Sequence, residues 1–361
     1  MTRHLRVVTV LAADTALGPD DAVGAWATST LLLEALVATG SVHAVGVARG
    51  PEAAERFLGG VHHVFAPTER ALVQAVRDAA PDVVHVHGTG FVSLIARLRT
   101  ALGTDVPLVL QHHGEPPGPM RNRLAHRILR RSVAGWLFTG ANDGQAEPFR
   151  AAGAIGPRSR VFEVLEASST LPPDDGAPAV ELEGSPSVLW VGRMVAGKDP
   201  LMAVRTIAEA RRTTPDPHLH LLATERTLAG AANLLAERLD VVDRVHVHDA
   251  VGRAEMHRWY RGADVLLSTS RREGSNYSLI EALQHGCTPV VTDLPPHRAI
   301  VRDLAPRFAV GDAVGAAAVL GREAPDRSAT EAYAAEHLSW AAVALQARAA
   351  YDVVVSSTRR S

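Results

Sequence analysis

The chain has 361 residues, enough for two ordinary domains, and its 47% hydrophobic and 21% charged content excludes both a disordered chain and a coiled coil. Lys+Arg (37) nearly balance Asp+Glu (39), which leaves no broad basic surface for nucleic acid, so an anionic ligand must be held by a few placed cations. Cys287 is the single cysteine, which excludes an intrachain disulfide and a cysteine-based metal cluster and fits a reducing, cytoplasmic compartment.

The opening MTRHLRVVTVLAAD reaches acidic Asp14 after a short apolar run and reads as a first strand, not a signal peptide. A helix is predicted around WATSTLLLEALVATG, stopped at Gly40. HAVGVA, VHHVFA, DVVHVHG and PLVLQHH follow as short strands, with helices predicted through TERALVQAVRDAAP and FVSLIARLRTALG. A stretch rich in Pro, Gly, Ser and acid, ASSTLPPDDGAPAVELEGSPS, reads as a linker over 171–185 between domains at 1–170 and 186–335. The alternation then restarts with SVLWVG, PLMAVRTIAEARRT, HLHLLA, AGAANLLAERL, VHVHDA, ADVLLSTS and TPVVTD, and ends in one long Ala-rich helical pattern running into 336–361. This order predicts an α/β protein with two doubly wound parallel sheets. No run approaches the ~18 apolar residues that span a bilayer, so a soluble protein is expected.

Open parallel sheets bind ligands beyond the carboxyl ends of their strands, so the loops there carry the search. After SVLWVG comes Gly192-Arg193-Met194-Val195-Ala196-Gly197-Lys198-Asp199-Pro200. Two glycines allow close backbone approach, Arg193 and Lys198 supply charge, and Asp199 and Pro200 suit a helix start. This loop alone fits a basic solvent turn as well as an anion site. It also contains G-x-x-x-x-G-K, but Asp199 stands where a P-loop needs Ser or Thr, and Pro200 starts the helix after the lysine. After ADVLLSTS, the turn Gly274-Ser275-Asn276 leads into a helix through Tyr277 and Ser278 that ends at Gly286. Glu273 lies before that helix and Glu281 within it, on a polar stripe with Ser278 and His285 that an ordinary exposed helix face would also show. Carboxylates accept two hydrogen bonds per oxygen and suit sugar hydroxyls, and amides near Ser275 to Tyr277 suit further oxygens.

Gly192-Arg193…Lys198, then Glu273-x7-Glu281 with HGCTPVV behind it, resembles the GT-B-fold retaining glycosyltransferases of family 4. PDVVHVHG, PLVLQHHGE and HLSWAAVALQARAAYD are similar to family segments as well. The resemblance implies two Rossmann-like domains facing across a cleft, with acceptor sites in the first, the donor in the second, and a terminal helix crossing back. It implies transfer of a hexosyl or N-acetylhexosaminyl unit from a nucleotide-diphosphate sugar to a small-molecule, glycan or lipid-linked acceptor, without metal or other cofactor. Arg193 and Lys198 would then neutralise the diphosphate, Glu273 and the amides after it would hold the sugar, Glu281 the ribose, and His113 would approach the reaction centre. Three departures stand out. The family's Gly-Gly pair after the first strand corresponds only to Gly24, its usual Lys-Gly is Lys198-Asp199 here, and its second-domain Gly-x-Gly-Pro turn is replaced by ATERTLAG. They keep open a second reading, a non-catalytic module of the same fold acting as partner subunit or sensor.

Histidine pairs such as His85-His87, His218-His220 and His246-His248 place both rings on one strand face, but no third metal ligand follows at fixed spacing, so no metal site is assigned. His112 and His113 should face opposite ways, with His87 near His113. MRNRLAHRILRRS, around Arg121–Arg131, combines arginines with Leu124, Ile128 and Leu129; it suits an anionic membrane, a phosphorylated acceptor or plain solvent.

Overall fold

The computed structural model describes residues 4–11, 27–156, 159–167, 171, 174–322 and 326–359. The chain forms two compact units, Met1–Ser169 with Trp340–Ser361, and Thr170–Ser339.

The first unit is built on β1 (Leu5–Leu11), β2 (Val42–Arg49), β3 (Ala54–Leu58), β4 (Val61–Ala66), β5 (Val83–His87), β6 (Leu108–Gln111), β7 (Val133–Phe138) and β8 (Arg160–Glu163). Its helices are α1 (Ala27–Ala38), α2 (Glu69–Asp78), α3 (Val92–Leu102), α4 (Met120–Leu129) and α5 (Glu147–Ala151). The strand order β3-β4-β2-β1-β5-β6-β7-β8 reverses direction of growth between β1 and β5. Helices cover both faces, so β5 buries every residue, including His85 and His87, and reads as a continuous apolar run interrupted by histidine. One strand was not expected. β3 pairs antiparallel to β4 across Gly59-Gly60, both at positive φ, and makes this sheet mixed. Its AERFL sequence is mostly exposed, so no buried alternation announced it.

The second unit contains β9 (Ser187–Gly192), α6 (Pro200–Ala210), β10 (His218–Ala223), α7 (Ala229–Arg238), β11 (Val245–His248), α8 (Met256–Gly262), β12 (Val265–Ser268), α9 (Tyr277–Gln284), β13 (Thr288–Thr292), α10 (Pro295–Val301), β14 (Arg307–Phe308), α11 (Ala313–Leu320) and α12 (Arg327–His337). All strands are parallel in the order β11-β10-β9-β12-β13-β14, so the switch in winding falls between β9 and β12. Residues 174–185 pack on this unit. Val180 donates its N–H to Arg258 O, and its own carbonyl occupies the space where Gly262 lacks a Cβ.

The single long terminal helix expected from the Ala-rich pattern is two helices, α12 and α13 (Trp340–Thr358). Leu338 leaves helical geometry (φ −118°, ψ 16°) and is buried, and the chain passes there from the second unit to the first. α13 is part of the first unit's core. Tyr351 is buried with its hydroxyl 2.8 Å from His85 Nδ1, Arg348 donates to Ser41 O at 2.8 Å, and Leu165 N donates to Gln346 Oε1. No described helix is long and apolar enough to cross a membrane. Tyr351→Ala should lower the first unit's stability by about 3–5 kcal/mol, and Tyr351→Phe by about 1–3 kcal/mol through the lost partner of His85, as read by urea denaturation.

Candidate active site

Because all strands of the second sheet run the same way, the loops after β9, β10, β11, β12 and β13 lie along one edge, and those after β9 and β12 are adjacent at the switch point. The first of these loops is closed by Asp199. It takes a left-handed conformation (φ 50°), and its side chain accepts from Met202 N to cap α6, with Pro200 at the first helical position. The same carboxylate binds the Arg271 guanidinium, Nε at 2.8 Å. Asp199 is therefore committed to a helix cap and an ion pair, which removes it from the position a P-loop would give to a magnesium-binding hydroxyl.

Thr269 fastens the two loops together. Its hydroxyl accepts from Trp190 Nε1 at 3.0 Å and lies 2.8 Å from Asp199 O, while Arg271 N donates to Gly197 O at 3.0 Å. Across this seam Lys198 Nζ meets Glu273 Oε1 at 2.5 Å, and Ser270 Oγ donates to the same oxygen at 2.6 Å. The Glu273 carboxylate is nearly buried and the ammonium half-buried, so the pair is only partly screened by water.

The helix after the second loop starts at Asn276, whose amide is fully used. Its Oδ1 accepts from Ser278 Oγ (2.9 Å) and Leu279 N (3.3 Å), and its Nδ2 donates to Ser268 Oγ and to His297 Nε2, each at 3.0 Å. His297 Nδ1 donates to Thr292 O at 2.8 Å, which fixes the neutral tautomer, and its complete burial lowers its pKa. Ser275 Oγ, by contrast, is buried with no hydrogen-bond partner. An unpaired buried hydroxyl beside a helix N-terminus suits a ligand oxygen.

The other sequence-predicted residues of the second unit lie in or beside these loops without joining the Lys198–Glu273 pair. Arg193 is 63% exposed and faces Glu225 Oε2 at 3.9 Å. Glu225 belongs to the ATERTLAG loop after β10, which is tied to the Arg193 loop by Met194 N to Glu225 O and Leu228 N to Met194 O. Glycine is not forced at 192 or 197 by the chain's own packing; a Cβ at 192 would touch Trp190 at an ordinary 3.5 Å, and one at 197 would meet open space. Gly274 is buried, Tyr277 is exposed on α9, and Gly24 lies outside the described residues. Glu281 corrects the exposed-stripe reading. It is 2% exposed, accepting from Tyr260 Oη at 2.8 Å and Arg253 Nη2 at 2.6 Å. Burial, then the Glu281 charge, pushes the Tyr260 phenol well above its usual range and keeps it a donor. Sequence reasoning missed Thr269, Ser270, Arg253, Tyr260, Arg271 and His297. Of these only Thr269, Ser270 and Arg271, which lie just before Glu273, were near a recognised pattern.

His113 lies in the first unit, just beyond β6. Its Nδ1 is 3.0 Å from Glu166 Oε1 and its Nε2 3.1 Å from His87 Nδ1, while Glu115 accepts from His113 N and Thr89 N. His112 turns the other way, between Phe138 and Phe149. Burial opposes the His113 imidazolium, but the hydrogen bond and charge of Glu166, joined by Glu115, outweigh it and raise the pKa above 6.5. Burial pushes His85 down to about 3 and His87 well below its ordinary value, so His87 is the neutral acceptor of the pair.

On α4, Met120, Leu124 and Ile128 are 83%, 61% and 73% exposed at four-residue spacing, with Arg123 and Arg127 exposed beside them. Leu129, read from the sequence as part of this face, turns inward onto the core, and the Arg121 side chain lies outside what is described.

Residues 185–321 match the family described as Glycosyl transferases group 1. Over 108 residues the chain is 32% identical to D-inositol 3-phosphate glycosyltransferase of Xylanimonas cellulosilytica, a match spanning 30% of this chain and 25% of that protein. The whole fold is similar to sucrose-phosphate synthase from Thermosynechococcus elongatus (TM-score 0.68, 16% identity, 98% of this chain and 100% of that one). It is also similar to Anabaena HepE in complex with UDP and glucose (TM-score 0.65, 14% identity, 97% and 100%). A third likeness is to trehalose 6-phosphate synthase from Burkholderia multivorans (TM-score 0.64, 13% identity, 100% and 99%). The architecture is thus that of the GT-B fold.

Because the folded pKa of His113 is raised, the pair's contribution to stability is present below the unfolded value of about 6.5 and is lost as pH rises through the folded value. In Glu166→Gln the His113 pKa, followed by NMR, should fall below 6.5, and the variant's stability deficit should shrink as pH rises.

Proposed function

We propose that the protein is a retaining glycosyltransferase that moves a hexosyl or N-acetylhexosaminyl unit from a nucleotide-diphosphate sugar to a small-molecule, glycan or lipid-linked acceptor. The observation that carries this reading is the Lys198–Glu273 pair at the switch point, beside the unpaired hydroxyl of Ser275. The partial match to a glycosyltransferase family and the HepE complex with UDP and glucose support the donor class.

In this reading Lys198 and Arg193 neutralise the diphosphate, including the charge that grows on it as the glycosidic bond breaks. Glu273 and the backbone from Gly274 to Ser278 hold the sugar hydroxyls. Glu281 accepts from the ribose through lone pairs that Tyr260 and Arg253 leave available. The sugar C1–O bond to phosphate breaks while the acceptor oxygen bonds C1 on the same face, and the acceptor proton passes to the departing phosphate oxygen. Glu273 positions the sugar and forms no bond to it. His113, oriented by Glu166, is assigned to the sugar near that centre. The two cations meet the charge that a metal ion would otherwise carry, so transfer requires no metal. We assign the exposed stripe and arginines of α4 to peripheral contact with an anionic membrane.

In a thermal-shift screen of UDP-, GDP-, ADP- and dTDP-sugars, one nucleotide class should stabilise the protein, unaffected by chelator and less so in Glu281→Ala. With the matching donor, Lys198→Ala should lower kcat about 10²–10³-fold. No shift with any donor would favour the non-catalytic module. The membrane assignment predicts sedimentation with anionic but not neutral vesicles, lost in Leu124→Asp with Ile128→Asp.

A further inference from the structure

At the opposite edge of the second sheet, His218 opens β10 and His246 lies in the neighbouring β11, with Glu183 in the segment leading to β9. His218 Nδ1 is 3.0 Å from His246 Nε2 and 3.7 Å from Glu183 Oε2, and His246 Nε2 is 3.9 Å from the same carboxylate oxygen. Three potential ligand atoms from three separate segments thus converge on one point. That point lies about 2.1 Å from each of them, the length of a zinc–nitrogen or zinc–oxygen bond.

The surroundings suit a cation. His218 turns its other nitrogen, Nε2, toward Asp216 Oδ1 at 3.4 Å, and Arg244 holds that carboxylate at 2.7 Å. A carboxylate behind the second nitrogen fixes the ring and raises its basicity as a ligand. Glu183 is exposed, so the solvent side is open to a water as a fourth ligand. His220 donates from Nε2 to Glu183 O at 2.9 Å and stacks on His246 at 4.7 Å, which holds both the segment and the ring in place. A second trio, Asp174, His257 and His285, is less suited because Arg261 already occupies the Asp174 carboxylate.

We infer that Glu183, His218 and His246 form a binding site for a divalent transition metal with affinity for imidazole, such as Zn²⁺. The ion would pin the segment before β9 to the two outer strands. The site stands at the amino-terminal edge of the strands, away from the donor loops, and does not depend on the proposed transfer reaction.

Metal-stripped full-length protein titrated with Zn²⁺ by calorimetry should show one stoichiometric high-affinity phase, and Co²⁺ should give a saturable visible absorption at the same stoichiometry. His246→Gln and Glu183→Gln should abolish that phase with unchanged circular dichroism. Asp216→Asn should weaken it about 10–100-fold. His285→Gln should leave it intact. Absence of a stoichiometric phase in the wild type, its survival in His246→Gln, or its loss in His285→Gln instead would overturn the assignment.

Discussion

The second unit is organised around one ion pair, Lys198 with Glu273, that closes the seam between the loops after β9 and β12. A nearly buried carboxylate left without a counter-charge would be costly, so each partner constrains the other's loop. Around the pair, Thr269 joins the loop backbones, Asp199 caps one helix while holding Arg271, and Asn276 caps the next while holding His297. The sheet topology explains why this happens here. Only at the switch in winding do two adjacent loops diverge toward opposite faces and leave room for a ligand between helix N-termini.

Under the proposed function, such a nearly neutral pair is also a suitable resting arrangement for a cation that would meet phosphate. The ammonium is held in place by its carboxylate partner, so in that role little side-chain ordering would remain when a donor binds. Arg193 is different. It is exposed and faces Glu225 from the loop after β10, so in the proposed role its contact with a diphosphate would compete with a neighbouring carboxylate. The two cations of the same loop are therefore unequal, Lys198 held against a nearly buried carboxylate and Arg193 largely exposed.

Much of this was legible in the sequence. The alternation of branched strands and amphipathic helices prescribes two doubly wound sheets, and the Gly-Arg…Lys and Glu-x7-Glu segments carry the two loops that meet at the switch point. What stayed hidden has a common physical cause. β3 is exposed and unpatterned, the break before α13 falls at a buried leucine, and the partners of Glu281 come from a 3-10 turn and a helix about twenty to thirty residues upstream. Contacts between segments leave no local period. Glu281 shows the effect most clearly, since helical spacing put it on a polar stripe while in the fold it is buried against Tyr260 and Arg253. The histidines show it again. Alternation placed pairs on common faces, but only the fold brought His113 to Glu166 and His218 to His246.

The central claim is that Lys198 is set to meet a diphosphate. Calorimetric titration of the wild type and Lys198→Met with the nucleoside diphosphate and monophosphate of the preferred base tests it most directly. The account predicts that the wild type favours the diphosphate by about tenfold or more, the worth of a charge-assisted hydrogen bond, and that the variant loses this preference. An undiminished preference in Lys198→Met would contradict it.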